Sequence, residues 1–197
     1  MVDIGTGDGR FVSVSAAQHP STFYIGIDAN VKPLEKPSIR ATRKPGKGGL
    51  PNALFIQAAV EDMPADLDGL AGQVFIHFPW GSLLRSIMLA EPAVLAALRR
   101  LTAPGGALTV ITGLDPDRDR SEIERLGIPT LTPEYLSGSL IPTYRHAGFR
   151  LVEHRQLEPS EWSRIETSWA RRLSGSTARR GVYLRFQLTG KTRSDST

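Results

Sequence analysis

The chain has 197 residues, of which 40% are hydrophobic and 22% charged, a length and composition suited to one globular domain with a sizeable core. It has no cysteine and four scattered histidines, so disulfides and thiolate metal sites are excluded and no metal is expected; with no apolar run near the roughly 18 to 20 residues of a membrane span and no signal-peptide pattern, a cytoplasmic location is expected. The formal charge is +4 and the isoelectric point about 9.7, which favours a polyanionic partner if the cations cluster.

The chain opens Met-Val-Asp-Ile-Gly-Thr-Gly-Asp-Gly-Arg. This predicts the end of a buried strand at residues 2–4, a turn through Gly5, Gly7 and Gly9, and a helix over 11–18. Glycines let a ligand approach the backbone closely, and the helix start offers free N–H groups. The spacing is G-x-G-x-G, whereas the dinucleotide fingerprint is G-x-G-x-x-G. Asp3 would repel a pyrophosphate and accept from an ammonium group. S-adenosylmethionine, with an amino-acid end and no phosphate, is the better ligand; a generic tight turn is the alternative.

Residues 23–28 predict a second strand ending in Asp28, where a carboxylate accepts from both hydroxyls of an adenosine ribose or is simply a solvated acid. From Lys32 to Lys47 the cations Lys32, Lys36, Arg40, Arg43, Lys44 and Lys47 are interrupted only by Glu35. The first four would share a helix face, with Pro37 kinking the helix or starting it, and 45–51 must be a loop. Such a face is either merely solvated or tracks a phosphate backbone. A third strand is predicted over 54–59. Ala59 leaves room for an adenine whose amine a carboxyl of Glu61 or Asp62 accepts, unless Asp62 caps a helix.

Residues 73–78 predict the fourth strand, opening into a loop, Pro-Trp-Gly-Ser-Leu-Leu-Arg (79–85), that faces the ligand crevice. Pro79 and Gly81 would hold Trp80 on a stiff turn, where it caps the core or stacks on a ligand. Then follow a helix over 91–101, a break at Pro104-Gly105-Gly106, a strand over 107–112 and a charged, solvated stretch over 115–125. A helix over 135–147 interrupted at Pro142 and strands over 150–154 and 182–188 complete an α/β, methyltransferase-type Rossmann sheet. No internal repeat or second core is predicted; 1–190 reads as one domain and 191–197 as a frayed tail. Between the last strands, Glu-Thr-Ser-Trp-Ala-Arg-Arg-Leu (166–173) sets Trp169 beside Arg171 and Arg172, with Arg179 and Arg180 beyond. Alone this is a core tryptophan on an arginine-rich helix. Paired with Trp80 it predicts a clamp for one flipped nucleobase.

Five motifs carry a family resemblance: Asp-Ile-Gly-Thr-Gly-Asp-Gly (3–9), Ile-Asp-Ala (27–29), Lys-Gly-Gly-Leu-Pro-Asn (47–52), Pro-Trp-Gly-Ser-Leu-Leu-Arg (79–85) and the 166–173 stretch. The chain resembles the aminoglycoside-resistance 16S ribosomal RNA methyltransferases of the kanamycin-apramycin type, which methylate N1 of adenine 1408 in the helix 44 decoding site. The resemblance implies a class I S-adenosylmethionine-dependent methyltransferase with a mostly parallel seven-stranded sheet, acting as a monomer on 16S rRNA in the assembled 30S subunit. It implies that Trp80 and Trp169 sandwich the flipped adenine with Ser168 beside it, and that Asp3, Gly5, Thr6, Gly7, Asp28, Ala59, Glu61, Phe78 and Ser82 line the cofactor pocket. Arg40, Arg43, Lys44, Lys47, Arg171, Arg172 and Arg179 would hold rRNA phosphates. Adenine N1 carries a lone pair at neutral pH, so positioning suffices and no general base is expected. The family has an N-terminal β-hairpin and a complete first strand before the glycine motif, whereas Met1 here lies two residues from Asp3. Either the true start lies upstream or a first strand of about three residues, weakly paired, lowers cofactor affinity. The alternatives are a methyltransferase of tRNA or a small molecule, and a non-catalytic rRNA-binding homologue.

Overall fold

Short β-branched runs alternate with helical segments along the first half of the chain, and such a pattern pairs its strands in parallel with helices on both faces. A computed structural model describes residues 1–162, 164–173 and 181–189, the side chains of 159 and 173 excepted. Its strands are β1 (Val2–Ile4), β2 (Tyr24–Asp28), β3 (Ala53–Gln57), β4 (Ala71–His77), β5 (Thr102–Thr112), β6 (Phe149–Leu157) and β7 (Gly181–Leu188). They form one seven-stranded sheet of order β3-β2-β1-β4-β5-β7-β6. All neighbours are parallel except β7, which runs antiparallel to both β5 and β6. The first strand is short, as expected, yet it pairs on both sides: Val2, Asp3 and Ile4 match Ile25, Gly26 and Ile27 on β2 and Val74, Phe75 and Ile76 on β4. All three residues are buried.

Helix α1 (Arg10–Gln18) follows β1, and α2 (Val31–Ala41) follows β2. Pro37 neither starts α2 nor ends it, because Pro33 already occupies the first turn and Pro37 itself is buried, close against the turn at Gly9; that packing offsets the backbone bond proline cannot donate. Arg43 lies beyond the helix, so only Lys32, Lys36 and Arg40 share its face. The stretch after Trp80 is helical rather than an open loop: in α3 (Gly81–Met88), Leu84, Ile87 and Met88 are buried at helical spacing. With Val94, Leu95, Leu98 and Leu101 of α4 (Pro92–Leu101) they join the largest core cluster on the sheet. Two smaller clusters of buried residues accompany it, one under α1 and one around Trp162.

The Pro104-Gly105-Gly106 break falls inside β5, as a register shift against β4 between Ala71 and Gln73. The 115–125 stretch is less solvated than its charge suggests. Asp119 is buried and accepts from the Asp115 N–H at 3.0 Å, and α5 (Arg120–Leu126) puts Leu126 into the core. Around Pro142 the chain stays helical, through α6 (Pro133–Tyr135), a π-helical turn (Leu136–Leu140) and α7 (Ile141–His146); the wider turn accommodates a residue without an N–H. Burial pushes the Tyr144 hydroxyl pKa well up, and the hydroxyl donates to the Ile87 carbonyl at 3.1 Å. Two short helices, α8 (Pro159–Trp162) and α9 (Ser168–Leu173), lie between β6 and β7. Among the described residues no single helix is long and apolar enough to cross a membrane.

Candidate active site

Strand order reverses at β1, which has β2 on one side and β4 on the other, and in open α/β sheets the ligand crevice lies beyond the carboxyl ends of the strands at such a switch point. A cavity of about 440 Å³ opens there. All nine residues expected to hold a cofactor line it: Asp3, Gly5, Thr6, Gly7, Asp28, Ala59, Glu61, Phe78 and Ser82. Gly5 has φ 71°, where an L side chain is strained, and a Cβ there would lie 2.6 Å from the end of the Leu83 side chain, so the turn favours glycine at this point. The Asp28 carboxylate ties two backbone turns together, Oδ2 accepting from Gly7 N–H at 2.8 Å and Oδ1 from Asn30 N–H at 2.9 Å. Oδ1 also accepts from Asn30 Nδ2 at 3.4 Å, whereas Oδ2 keeps a lone pair for a further donor. Glu61 faces the cavity and Asp62 does not. Neither short turn near Asp62 has a side-chain cap, so its capping role is absent.

Asp3 is buried, and its Oδ1 lies 3.2 Å from Nδ1 of His77, which is also buried. The imidazole meets Phe11 edge-on at 4.6 Å and stacks on Phe75 at 5.3 Å. His77 was missed by sequence reasoning. The β1–β4 register sets Asp3 beside Phe75, and His77, two residues on, shares that face. Only the register carries that signal.

The second group of residues stands at the cavity mouth. Phe78 has φ 49°, a left-handed conformation that costs a bulky residue roughly 1–3 kcal/mol and clusters at functional sites. It redirects the chain from β4 into Pro79 and Trp80, and Gly81, at φ 59°, turns it into α3. The Trp80 and Trp169 rings stack, with centroids 5.9 Å apart and planes inclined by 19°. They are 44% and 41% exposed, whereas Trp162 is fully buried. Trp162 is thus the core tryptophan of this region, packed with Phe78, Ile111, Leu157 and Ala170. Ala170 anchors α9 there, leaving its neighbour Trp169 outside. Ser168 and Arg172 also line the cavity, and the Arg172 guanidinium lies 5.8 Å from the Trp169 ring centroid. A smaller hollow of about 260 Å³ lies on the other side of the tryptophan pair, against Gly113, Leu114 and Asp119.

Lys32, Lys36, Arg40, Arg43, Lys44 and Lys47 are all exposed. Among the described residues none of the six forms an ion pair, while Arg10, Arg85, Arg100, Arg118, Arg120, Arg125 and Arg155 each meet a carboxylate. The loop after α2 is shaped by its backbone: Lys44 and Ala41 carbonyls accept from Gly49 and Leu50, and a Cβ at Gly49 would lie 1.7 Å from the Arg43 carbonyl oxygen. Arg171 and Arg172 are exposed on α9. Arg179, Arg180 and the 191–197 tail lie outside the described residues.

A sheet of this order, with an acid-ended glycine turn and a ribose-height carboxylate around one crevice, defines a class I S-adenosylmethionine-dependent methyltransferase. Residues 1–188 match the family model described as NpmA, 16S rRNA (adenine(1408)-N(1))-methyltransferase, and the chain belongs to that family. The 16S rRNA (adenine(1408)-N(1))-methyltransferase of Streptoalloteichus tenebrarius is 38% identical over 96% of this chain and 86% of its own. Among solved structures, the aminoglycoside resistance methyltransferase NpmB1 is 48% identical, with a TM-score of 0.83, over 95% of this chain and 86% of its own. A variant of the Catenulisporales acidiphilia 16S rRNA (adenine(1408)-N(1))-methyltransferase, solved with its cosubstrate SAM, is 34% identical with a TM-score of 0.88, over 100% of this chain and 87% of its own.

Proposed function

We propose that this chain methylates N1 of adenine 1408 in 16S rRNA, acting as a monomer on the assembled 30S subunit in the cytoplasm and so conferring aminoglycoside resistance. The observation that carries the reading is the pair of exposed, mutually stacked tryptophans at the mouth of the cofactor cavity. Two large aromatic faces left in water are costly unless they serve a ligand, and both faces of a splayed base suit them.

The cavity's own residues suit S-adenosylmethionine. Its volume of about 440 Å³ lies in the ligand-pocket range, a buried carboxylate (Asp3) stands at one end, and Thr6 Oγ1 is buried with no hydrogen-bond partner among the described residues. Asp3, steadied by His77, would receive the ammonium group, Asp28 the ribose hydroxyls, and Ala59 and Glu61 the adenine. Gly5, Gly7, Phe78 and Ser82 would form the walls. When bound, the cofactor supplies a sulfonium methyl; the N1–CH3 bond forms as the S–CH3 bond breaks and its electron pair stays on sulfur.

Flipping a base out of its stack costs a few kcal/mol, and stacking on aromatic side chains returns roughly 1–3 kcal/mol per base. The closed pair must first open: a base between two rings needs about twice the 3.4 Å stacking distance, against 5.9 Å between centroids here. As the methyl is transferred the adenine becomes cationic, and the two indole faces attract that charge. Ser168 at the cavity edge would orient the base. Arg40, Arg43, Lys44 and Lys47 with Arg171, Arg172 and Arg179 would hold phosphates. No side chain is assigned as acid or base.

The test is incubation of purified 30S subunits with labelled S-adenosylmethionine, followed by primer extension. A stop at adenine 1408 is expected. Label entering tRNA or a small molecule but not 30S would overturn the reading, and absence of S-adenosylhomocysteine binding in calorimetry would mark a non-catalytic RNA-binding homologue.

A further inference from the structure

We propose that Asp8 and Arg10 are positioning residues that hold the helix bearing Trp169 directly to the cofactor turn, so that one rigid unit sets both the cofactor and the target base. The inference rests on the methyltransferase reading above, although its first readout does not depend on RNA. Two side-chain contacts cross from the turn to the segment before Trp169: Arg10 Nη2 meets Glu166 Oε2 at 2.8 Å, and the Ser168 hydroxyl donates to Asp8 Oδ2 at 2.6 Å. They join residues 156 and 160 positions apart. Between Glu166 and Ser168, Thr167 Oγ1 accepts from the Ala170 N–H at 3.0 Å, so each of the three residues before Trp169 is fixed.

Such ties are needed because α9 has six residues, too few for a helix to hold itself. Ala170 fixes its depth through a small apolar contact, and Trp169 stacks on Trp80; the polar pair fixes its rotation and register. The register is specific in sign, since shifting it would set Asp8 against Glu166. On the turn side, Asp8 follows Gly7, whose N–H is held by Asp28. The chain Asp28, Gly7, Asp8, Ser168, Trp169 thus runs from the ribose end of the cavity to the base clamp through hydrogen bonds and consecutive residues.

The experiment compares Arg10→Glu, Glu166→Arg and the double exchange, together with Asp8→Ala and Asp8→Asn. Amide hydrogen exchange over 168–173 is read on the free protein, and kcat and KM for 30S subunits are read separately. Arg10 and Glu166 do not line the cavity. Each single charge reversal is expected to speed exchange in α9 up to about fivefold, the reach of a half-exposed ion pair, and to lower kcat more than it raises KM. The double exchange restores both. Asp8→Ala is expected to cost about tenfold or more, as for a hydrogen bond to a charged group, and Asp8→Asn, which keeps an acceptor for the Ser168 hydroxyl, to recover most of it. Unchanged exchange in the single variants overturns the proposal, as does a folded double exchange with no recovery of kcat. If Arg10→Glu does not fold, Glu166→Gln at the half-exposed end of the pair carries the same test. Failure of adenine methylation with intact α9 exchange effects would refute the function and leave the tie standing.

Discussion

Removing one face of the base clamp separates substrate binding from folding, because the three tryptophans of this chain occupy opposite environments. Trp80 and Trp169 are 44% and 41% exposed and touch each other, whereas Trp162 is fully buried against Phe78. Trp80→Ala or Trp169→Ala therefore removes less buried apolar surface than Trp162→Ala, and the expected loss in activity is the stacking of one base, roughly 1–3 kcal/mol. At 1.4 kcal/mol per factor of ten, that is about a 5- to 150-fold fall in kcat/KM for 30S subunits. The double variant should cost less than the product of the two, since both rings serve one base. Trp162→Ala should instead cost roughly 3–5 kcal/mol of stability, as large core truncations do. Methyl transfer to 30S, calorimetry with S-adenosylhomocysteine and urea midpoints give the three readouts. If Trp80→Ala or Trp169→Ala abolished cofactor binding, or lowered the urea midpoint as far as Trp162→Ala, the rings would be core residues and the clamp reasoning would fail.

His77→Leu leaves the buried Asp3 carboxylate without its imidazole partner, at a cost of roughly 1–3 kcal/mol in stability and with weaker S-adenosylhomocysteine binding; unchanged urea unfolding and affinity would show that the pair is idle. Lys44→Ala and Lys47→Ala should each weaken 30S binding and reduce the slope of log affinity against log salt by about 0.7–0.9 for every phosphate no longer neutralised, with cofactor affinity constant in calorimetry. Gly49→Ala drives a Cβ into the Arg43 carbonyl and should impair 30S binding in the same salt titration while sparing the cofactor site. Glu161 accepts from the Glu158 N–H and from Arg155, and these bonds hold its carboxyl below the ordinary range, the backbone bond foremost. A depressed folded-state pKa gives a contribution that is complete above the unfolded value and disappears as pH falls through the folded one. Exchange of the Glu158 amide, which Glu161 holds, and of the 160–162 amides, corrected for intrinsic rates, should thus rise on acidification through that window in the native chain and stay flat in Glu161→Gln.

Much of the fold is readable from periodicity. The strand at each position and the glycine turn follow from β-branched runs and punctuating glycines, and the acid at residue 28 is local to its strand end. The misjudged elements are those where packing overrode local preference. Pro37 stays inside α2 because its ring is buried, the 81–88 stretch coils because Leu84, Ile87 and Met88 meet the core, and Asp119 turns inward to hold the Asp115 N–H. Of the site, every residue expected at the cofactor cavity lines it, but His77 stayed hidden, since a lone histidine in a strand has no motif.

By itself the sequence determined which chemistry was available: an acid-ended glycine turn suited to a sulfonium cofactor, two tryptophans on post-strand segments, and a cationic stretch. Tertiary structure alone decided which tryptophans face water, that Trp80 and Trp169 stack though 89 positions apart in the chain, and that Asp3 lies beside His77. Side-chain identity is local, whereas burial and partnership depend on sheet register and on loops whose ends meet only when seven strands have taken their order.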